Sequence, residues 1–129
     1  MGVISTDNNE IKLYFHSGSS IGQQIQAYVL TSERKILTID ISKTKVTGTQ
    51  WTELAKGLNL PISGLINKEH PDFTNHYDKN IDLEEEDWLK VIEKHPEVIT
   101  TPIAIIGKRF VQLRSPSDFI KYIEPDSKM

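Results

Sequence analysis

Apolar positions along the chain switch between two periods, and the turn residues between them cut the sequence into short elements. Ile11 to Phe15 is a dense run of branched and aromatic residues that predicts a strand, and it runs into the turn cluster Ser17-Gly18-Ser19-Ser20. Ile21, Ile25 and Val29 then recur at intervals of four, with Tyr28 beside them. That spacing is one apolar stripe of a helix, and Ser19 or Ser20 is placed to cap it. Lys35 to Ile41 is rich in branched residues and predicts a second strand. Strand, helix and strand over this length make a βαβ unit, whose crossover is right-handed and whose strands pair in parallel.

The period of three and four returns at Trp51, Leu54, Ala55 and Leu58, predicting a second helix capped by Thr47 or Thr49. Pro61 opens a short third helical segment through Leu65. Asn67 to Asn80 is polar and reads as loop or short helical turns. Asp82 to Lys94 predicts a strong helix. Glu84, Glu85, Glu86 and Asp87 crowd its first turns, where the macrodipole favours anions, and His95-Pro96 ends it. Ile103 to Ile106 is a continuous apolar run suited to a buried central strand. Gly107-Lys108 is a two-residue hairpin connection, Phe110, Val111 and Leu113 form the returning strand, and Ser115-Pro116 starts a last helix with Phe119, Ile120 and Ile123 inward. Trp51 and Trp88 both lie on apolar stripes and are expected in the core. Residues 1–10 read as a flexible leader, 11–124 as a single domain and 125–129 as a tail.

With 129 residues, one hydrophobic core suffices, and the 37% hydrophobic and 26% charged content is that of ordinary globular chains. The net charge of −3 gives no pull toward nucleic acid or an anionic membrane. No apolar stretch is long enough to span a bilayer and the first ten residues lack the apolar core of a signal peptide, so a cytoplasmic location is expected. The sharpest number is the cysteine count, zero. It removes disulfides, thiolate metal sites and any thiol nucleophile or redox dithiol of the chain's own.

Two segments carry a resemblance. One is the turn Phe15-His16-Ser17-Gly18-Ser19-Ser20 that opens the first helix. The other is His95-Pro96-Glu97-Val98-Ile99-Thr100-Thr101-Pro102-Ile103 followed by Gly107-Lys108-Arg109. Together, over Ile11 to Ile123, they resemble the glutaredoxin-linked arsenate reductases and their relative Spx, a bacterial transcription regulator that docks on RNA polymerase. The resemblance implies an α/β, thioredoxin-like (glutaredoxin-like) fold. Its four-stranded mixed sheet is flanked by helices, and a helical insertion separates the βαβ unit from a C-terminal β-hairpin and helix. It also implies a cis peptide bond before Pro102. The position of the family's nucleophilic cysteine is Ser20, and His16 matches a histidine of its turn. The family's arginine after the cysteine matches Gln23 or Gln24, and its oxyanion-binding arginines match Asn67, Thr101, and Ser115 with Arg114 adjacent.

Sulfur and positive charge are thus missing together. A Ser20 nucleophile would need a base, which His16 alone could supply, and a hydroxyl cannot cycle through a mixed disulfide. The plainer reading makes Ser20 a helix cap and His16 a packing residue at the strand end. Ser17, Gly18, Ser19, Ser20 and Gly22 are the candidate anion site, since free N–H groups at a helix start attract anions, although without arginines the binding is expected to be weak. His70, Asp72 and His76 fit no recurring metal spacing, so no metal is expected. The expectation is a pseudoenzyme without a cofactor that binds another protein, with no membrane or direct nucleic-acid partner. The alternative is a reductase- or transferase-like enzyme that uses the Ser20 helix N-terminus to hold an anion or a thiol cofactor such as glutathione.

Overall fold

The computed structural model describes residues 10–31, 36–78 and 80–123. The leader proposed for residues 1–10 (save Glu10) and the tail from residue 125 lie outside the described residues. The elements are β1 (Ile11–Phe15), α1 (Ser20–Thr31), β2 (Ile36–Asp40), α2 (Gly48–Gly57), α3 (Pro71–Thr74), α4 (Glu85–Lys94), β3 (Ile103–Ile106), β4 (Arg109–Gln112) and α5 (Pro116–Ile123). Single 3-10 turns cover Ile62–Leu65 and Pro96–Val98. The sheet order is β2-β1-β3-β4. β1 pairs parallel with β2, and antiparallel pairs join β1 to β3 and β3 to β4. This is the mixed sheet expected from the βαβ unit and the hairpin.

Strand alternation splits the core in two. Ile11, Leu13, Phe15 and Ala104 point to one face and pack with Ile25 of α1 and Phe119 of α5. Tyr14, Ile103 and Ile105 point to the other face, where Trp51 and Leu54 of α2, Trp88 and Ile92 of α4, and Phe73 of α3 cover them. Both tryptophans are buried, as the stripes predicted. The helical insertion therefore supplies most of one core layer. The hairpin turn has Gly107 at φ 63, and no non-glycine residue of that turn has positive φ. A turn with the left-handed residue first and Lys108 second is the Gly-X type.

Of the two caps that the sequence offered α2, Thr47 is the one used: the Gln50 amide donates to Thr47 Oγ1, and Gln50 Oε1 accepts from the Thr47 amide. Two features differ from the sequence reading. α4 begins at Glu85, three residues after Asp82, with Glu84 extended and making no side-chain cap. Ile81 and Leu83 both pack on the core there. Extended chain puts two such alternate residues on one side, which a helix does not. Finally, among the described residues there is no cis peptide bond, so the bond before Pro102 is trans and the cis-proline expectation is corrected. Trans is the intrinsic preference of an X-Pro bond by about 0.5–1 kcal/mol. The flanking backbone is satisfied in that form, with Leu113 N–H donating to Pro102 O at 2.9 Å and Thr100 N–H to Leu65 O at 2.8 Å.

Candidate functional site

Parallel pairing brings the carboxyl ends of β1 and β2 side by side, with Phe15 opposite Asp40. The turn from β1 into α1 therefore sits directly against the end of β2. Each candidate residue has a definite place in it. Ser19, not Ser20, is the cap: its Oγ accepts from the Gly22 amide at 3.0 Å and donates to His16 O at 2.9 Å. Ser20 is the first helical residue, and its Oγ accepts from Gln24 Nε2 at 3.2 Å. The expectation that Ser20 caps the helix is corrected accordingly. The cap hydroxyl must belong to the residue preceding the helix to reach the third amide inside it. Gly22 is buried, and a β-carbon there would meet His16 O and Ser19 Oγ.

The donors of the proposed anion site are largely consumed. Ser17 N–H donates to Asp40 Oδ1 at 3.2 Å, Gly18 N–H to His16 Nδ1 at 3.0 Å, and Ser19 N–H to His16 O at 3.1 Å. With Gly22 held by Ser19 Oγ, only the Ser20 amide remains of the five. His16 Nδ1 accepts a hydrogen bond from the Gly18 amide, so His16 acts here as a turn-forming side chain. Gln23, one of the two glutamines that the resemblance set at an arginine position, folds back to donate to Ser17 O at 3.1 Å.

Asp40 was not among the residues singled out from sequence. Its Oδ1 accepts from the Ser17 amide, from Ser42 N–H at 3.0 Å and from Ser42 Oγ at 2.7 Å. Ser17 Oγ and Ser42 Oγ lie 3.2 Å apart above it. Partial burial raises the Asp40 pKa, but the hydrogen bonds from the Ser17 and Ser42 side chains and backbones outweigh it and bring the pKa down to about 2. The signal was available: the residue ending the second strand of a βαβ unit lies at the crevice beyond the strand ends, and Asp-x-Ser forms its own local turn.

A lowered folded pKa stabilises the protein above the unfolded value near 4, and that stability is lost as pH falls through about 2. Allowing for solvent screening, Asp40→Asn is expected to cost about 1 kcal/mol at pH 7. In urea titrations, the difference from the wild type should shrink between pH 4 and pH 2. A constant difference across that range would mean that the carboxylate charge plays no part.

Beside the turn is a cavity of about 40 Å³, lined among others by His16, Ser19, Glu97, Thr100, Thr101 and Pro102. That volume admits about one water. Thr101 Oγ1 is buried without a hydrogen-bond partner, and a water in this cavity would satisfy it. Glu97 carries the charge here, paired with His95 Nδ1 at 3.4 Å. At Asn67 and Ser115, which the resemblance also matched to arginines, the side chains bond locally. Asn67 Oδ1 accepts from the Glu69 amide, and Ser115 Oγ lies 2.9 Å from Ser117 Oγ. The Arg114 amide donates to Asp118 Oδ2 at 3.1 Å. His70, Asp72 and His76 do not converge on one point. His70 Nδ1 accepts from the Asp72 amide, while the His76 ring stacks on His95 with centroids 4.8 Å apart. A larger cavity of about 250 Å³ lies between the β2–α2 connection and the end of α4, lined by Lys43, Lys45, Trp51 and Glu93 among others.

No family model and no curated protein sequence matches the chain. Solved structures do. An arsenate reductase from Vibrio cholerae superposes with a TM-score of 0.74 at 14% identity, covering 90% of this chain and 99% of its own. An arsenate reductase-related protein from Brucella melitensis superposes with a TM-score of 0.63 at 12% identity, covering 96% of this chain and 98% of its own. The chain thus has the thioredoxin-like fold of the arsenate reductases over nearly its full length, and it contains no cysteine. Among the described residues, no helix is long and apolar enough to cross a membrane.

Proposed function

We propose that this is a non-catalytic protein of the arsenate reductase fold that acts in the cytoplasm by binding another protein. One observation carries the reading: four of the five candidate N–H groups, those of Ser17, Gly18, Ser19 and Gly22, are taken up from within by Asp40, His16 and Ser19, instead of standing open to an oxyanion. A fixed carboxylate against the turn repels the tetrahedral anion that the fold's thiol enzymes bind. The resemblance to Spx, which works by docking on a larger protein, supports a binding role. The enzymatic alternative has less behind it, because Ser20 Oγ is already engaged by Gln24 Nε2.

The test is glutathione-dependent arsenate reduction by the purified chain, with the rate expected to equal the protein-free blank. Turnover that disappears in Ser20→Ala would overturn the reading. In parallel, sulfate and phosphate should raise the melting temperature no more than sodium chloride at equal ionic strength. A saturable rise that Gly18→Ala abolishes would restore the anion site and sink the proposal.

A further inference from the structure

The edges of the sheet are chemically unequal. Among the described residues, β2 and β4 each pair on one side only. β4 opens on exposed Arg109, next to exposed Lys108, and charge of that kind discourages a second strand from adding. β2 reads Ile36-Leu37-Thr38-Ile39-Asp40, with four uncharged residues in succession. Leu37 is 50% exposed and Thr38 is exposed. The exposed large hydrophobic residues among those described are Tyr28, Leu30 and Leu37. All three belong to β2 or to α1, the crossover helix that leads into it.

The hydrogen-bond direction of this edge is determined. Ile41 N–H donates to Phe15 O at 2.8 Å. Backbone groups alternate sides along a strand, so Leu37, Ile39 and Ile41 turn toward β1, while Ile36, Thr38 and Asp40 turn their N–H and C=O groups outward.

We propose that two copies of this chain pair through their β2 strands, antiparallel and centred on Thr38, into one continuous sheet. The proposal is independent of the reading offered for the β1–α1 turn. With the twofold axis at Thr38, the two Thr38 residues exchange both of their backbone hydrogen bonds. The Asp40 amide of each copy meets the Ile36 carbonyl of the other. The Asp40 carbonyl already accepts from Lys43 and Thr44 and is not needed. Leu37 then lies opposite Ile39 of the second copy in a close, non-hydrogen-bonded pair that covers its exposed side. An axis at Leu37 would join Ile36 to Thr38 through the same outward groups but leave the Asp40 amide without a partner among the described residues. An axis at Ile39 would need the Asp40 carbonyl, which Lys43 and Thr44 already occupy, and an axis at Asp40 would set two carboxylates against each other. An isologous pairing of this kind closes on itself, so a dimer forms and not a fibre. A five-residue ladder is a small interface, so the dimer is reversible and depends on concentration.

The absence of cysteine makes the test direct. Paired Thr38 residues have Cα atoms about 5.5 Å apart, a separation that a disulfide spans. Under mild oxidation, Thr38→Cys is expected to form a disulfide-linked dimer at least about tenfold faster than Lys108→Cys, placed on the exposed hairpin. In sedimentation equilibrium the wild type should rise from 14.7 kDa toward twice that mass with concentration. Thr38→Lys, with unchanged circular dichroism, should remain at the monomer mass. A wild type that stays monomeric at millimolar concentration, equal cross-linking at the two sites, or a Thr38→Lys variant that still dimerises would each overturn the proposal.

Discussion

Replacing Gly22 with alanine is expected to cost about 3 kcal/mol, at the upper end of the usual overpacking range, and to lower the melting temperature by roughly 10 °C. A β-carbon at this position would fall on the carbonyl oxygen of His16 and within 2.7 Å of Ser19 Oγ. The first atom is backbone and cannot rotate away. The second is the cap itself, held between the Gly22 amide and His16 O. Relief requires α1 to lift from the end of β1, which would loosen Ile25 in the core layer beneath it and break the turn that Asp40 secures. Chemical denaturation followed by circular dichroism measures the cost. A loss below about 1 kcal/mol would mean that α1 is free to settle further from β1 than its contacts indicate.

Phe73→Ala is expected to be the more damaging of the two, at about 4 kcal/mol. Phe73 is 0% exposed and belongs to a helix of only four residues, which could not persist alone. Its ring stacks on Trp88 with centroids 6.0 Å apart and lies 5.1 Å from Tyr77. Removing it opens a cavity between α3, α4 and the sheet, and the remaining rings cannot close that space without leaving their rotamers. Hydrogen exchange gives the sharper readout, because protection should fall first in residues 67–78 and in α4. Uniform loss across the whole molecule would show that the insertion and the βαβ half unfold as one unit.

Periodicity made most elements legible because their burial is one-sided. The stripe Trp51-Leu54-Ala55 and the run Ile103–Ile106 each have one packing solution, and both are where the pattern put them. The start of α4 was misplaced because Ile81 and Leu83 serve the core from extended chain, which mimics the apolar density of a helical turn. The stretch Asn67 to Asn80, read as loop or short helical turns, holds the single helical turn α3, whose exact place the polar composition did not mark because only Phe73 and Tyr77 of its described residues turn inward. Pro102 is trans, although the resemblance implied cis. The isomer of an X-Pro bond depends on a small free-energy difference that the surrounding hydrogen bonds tip.

The candidate site divides in the same way. The absence of cysteine is composition and is complete in the sequence, and the polar residues at Gln23 or Gln24, Asn67 and Thr101, where the resemblance would place cations, are read there too. The βαβ order and the two-face core also follow from local period, because each apolar side chain must find cover near its own element. The Gly18, Ser19 and Gly22 amides find partners two or three residues away, but what holds the Ser17 amide follows only from tertiary structure. Asp40 is more than twenty residues from Ser17 in the chain, and parallel pairing alone sets its carboxylate against that amide. The outward direction of the Thr38 backbone groups likewise depends on which residues of β2 bond to β1. Hydrogen-bond partners between distant segments are chosen by register, and register is a property of the folded sheet.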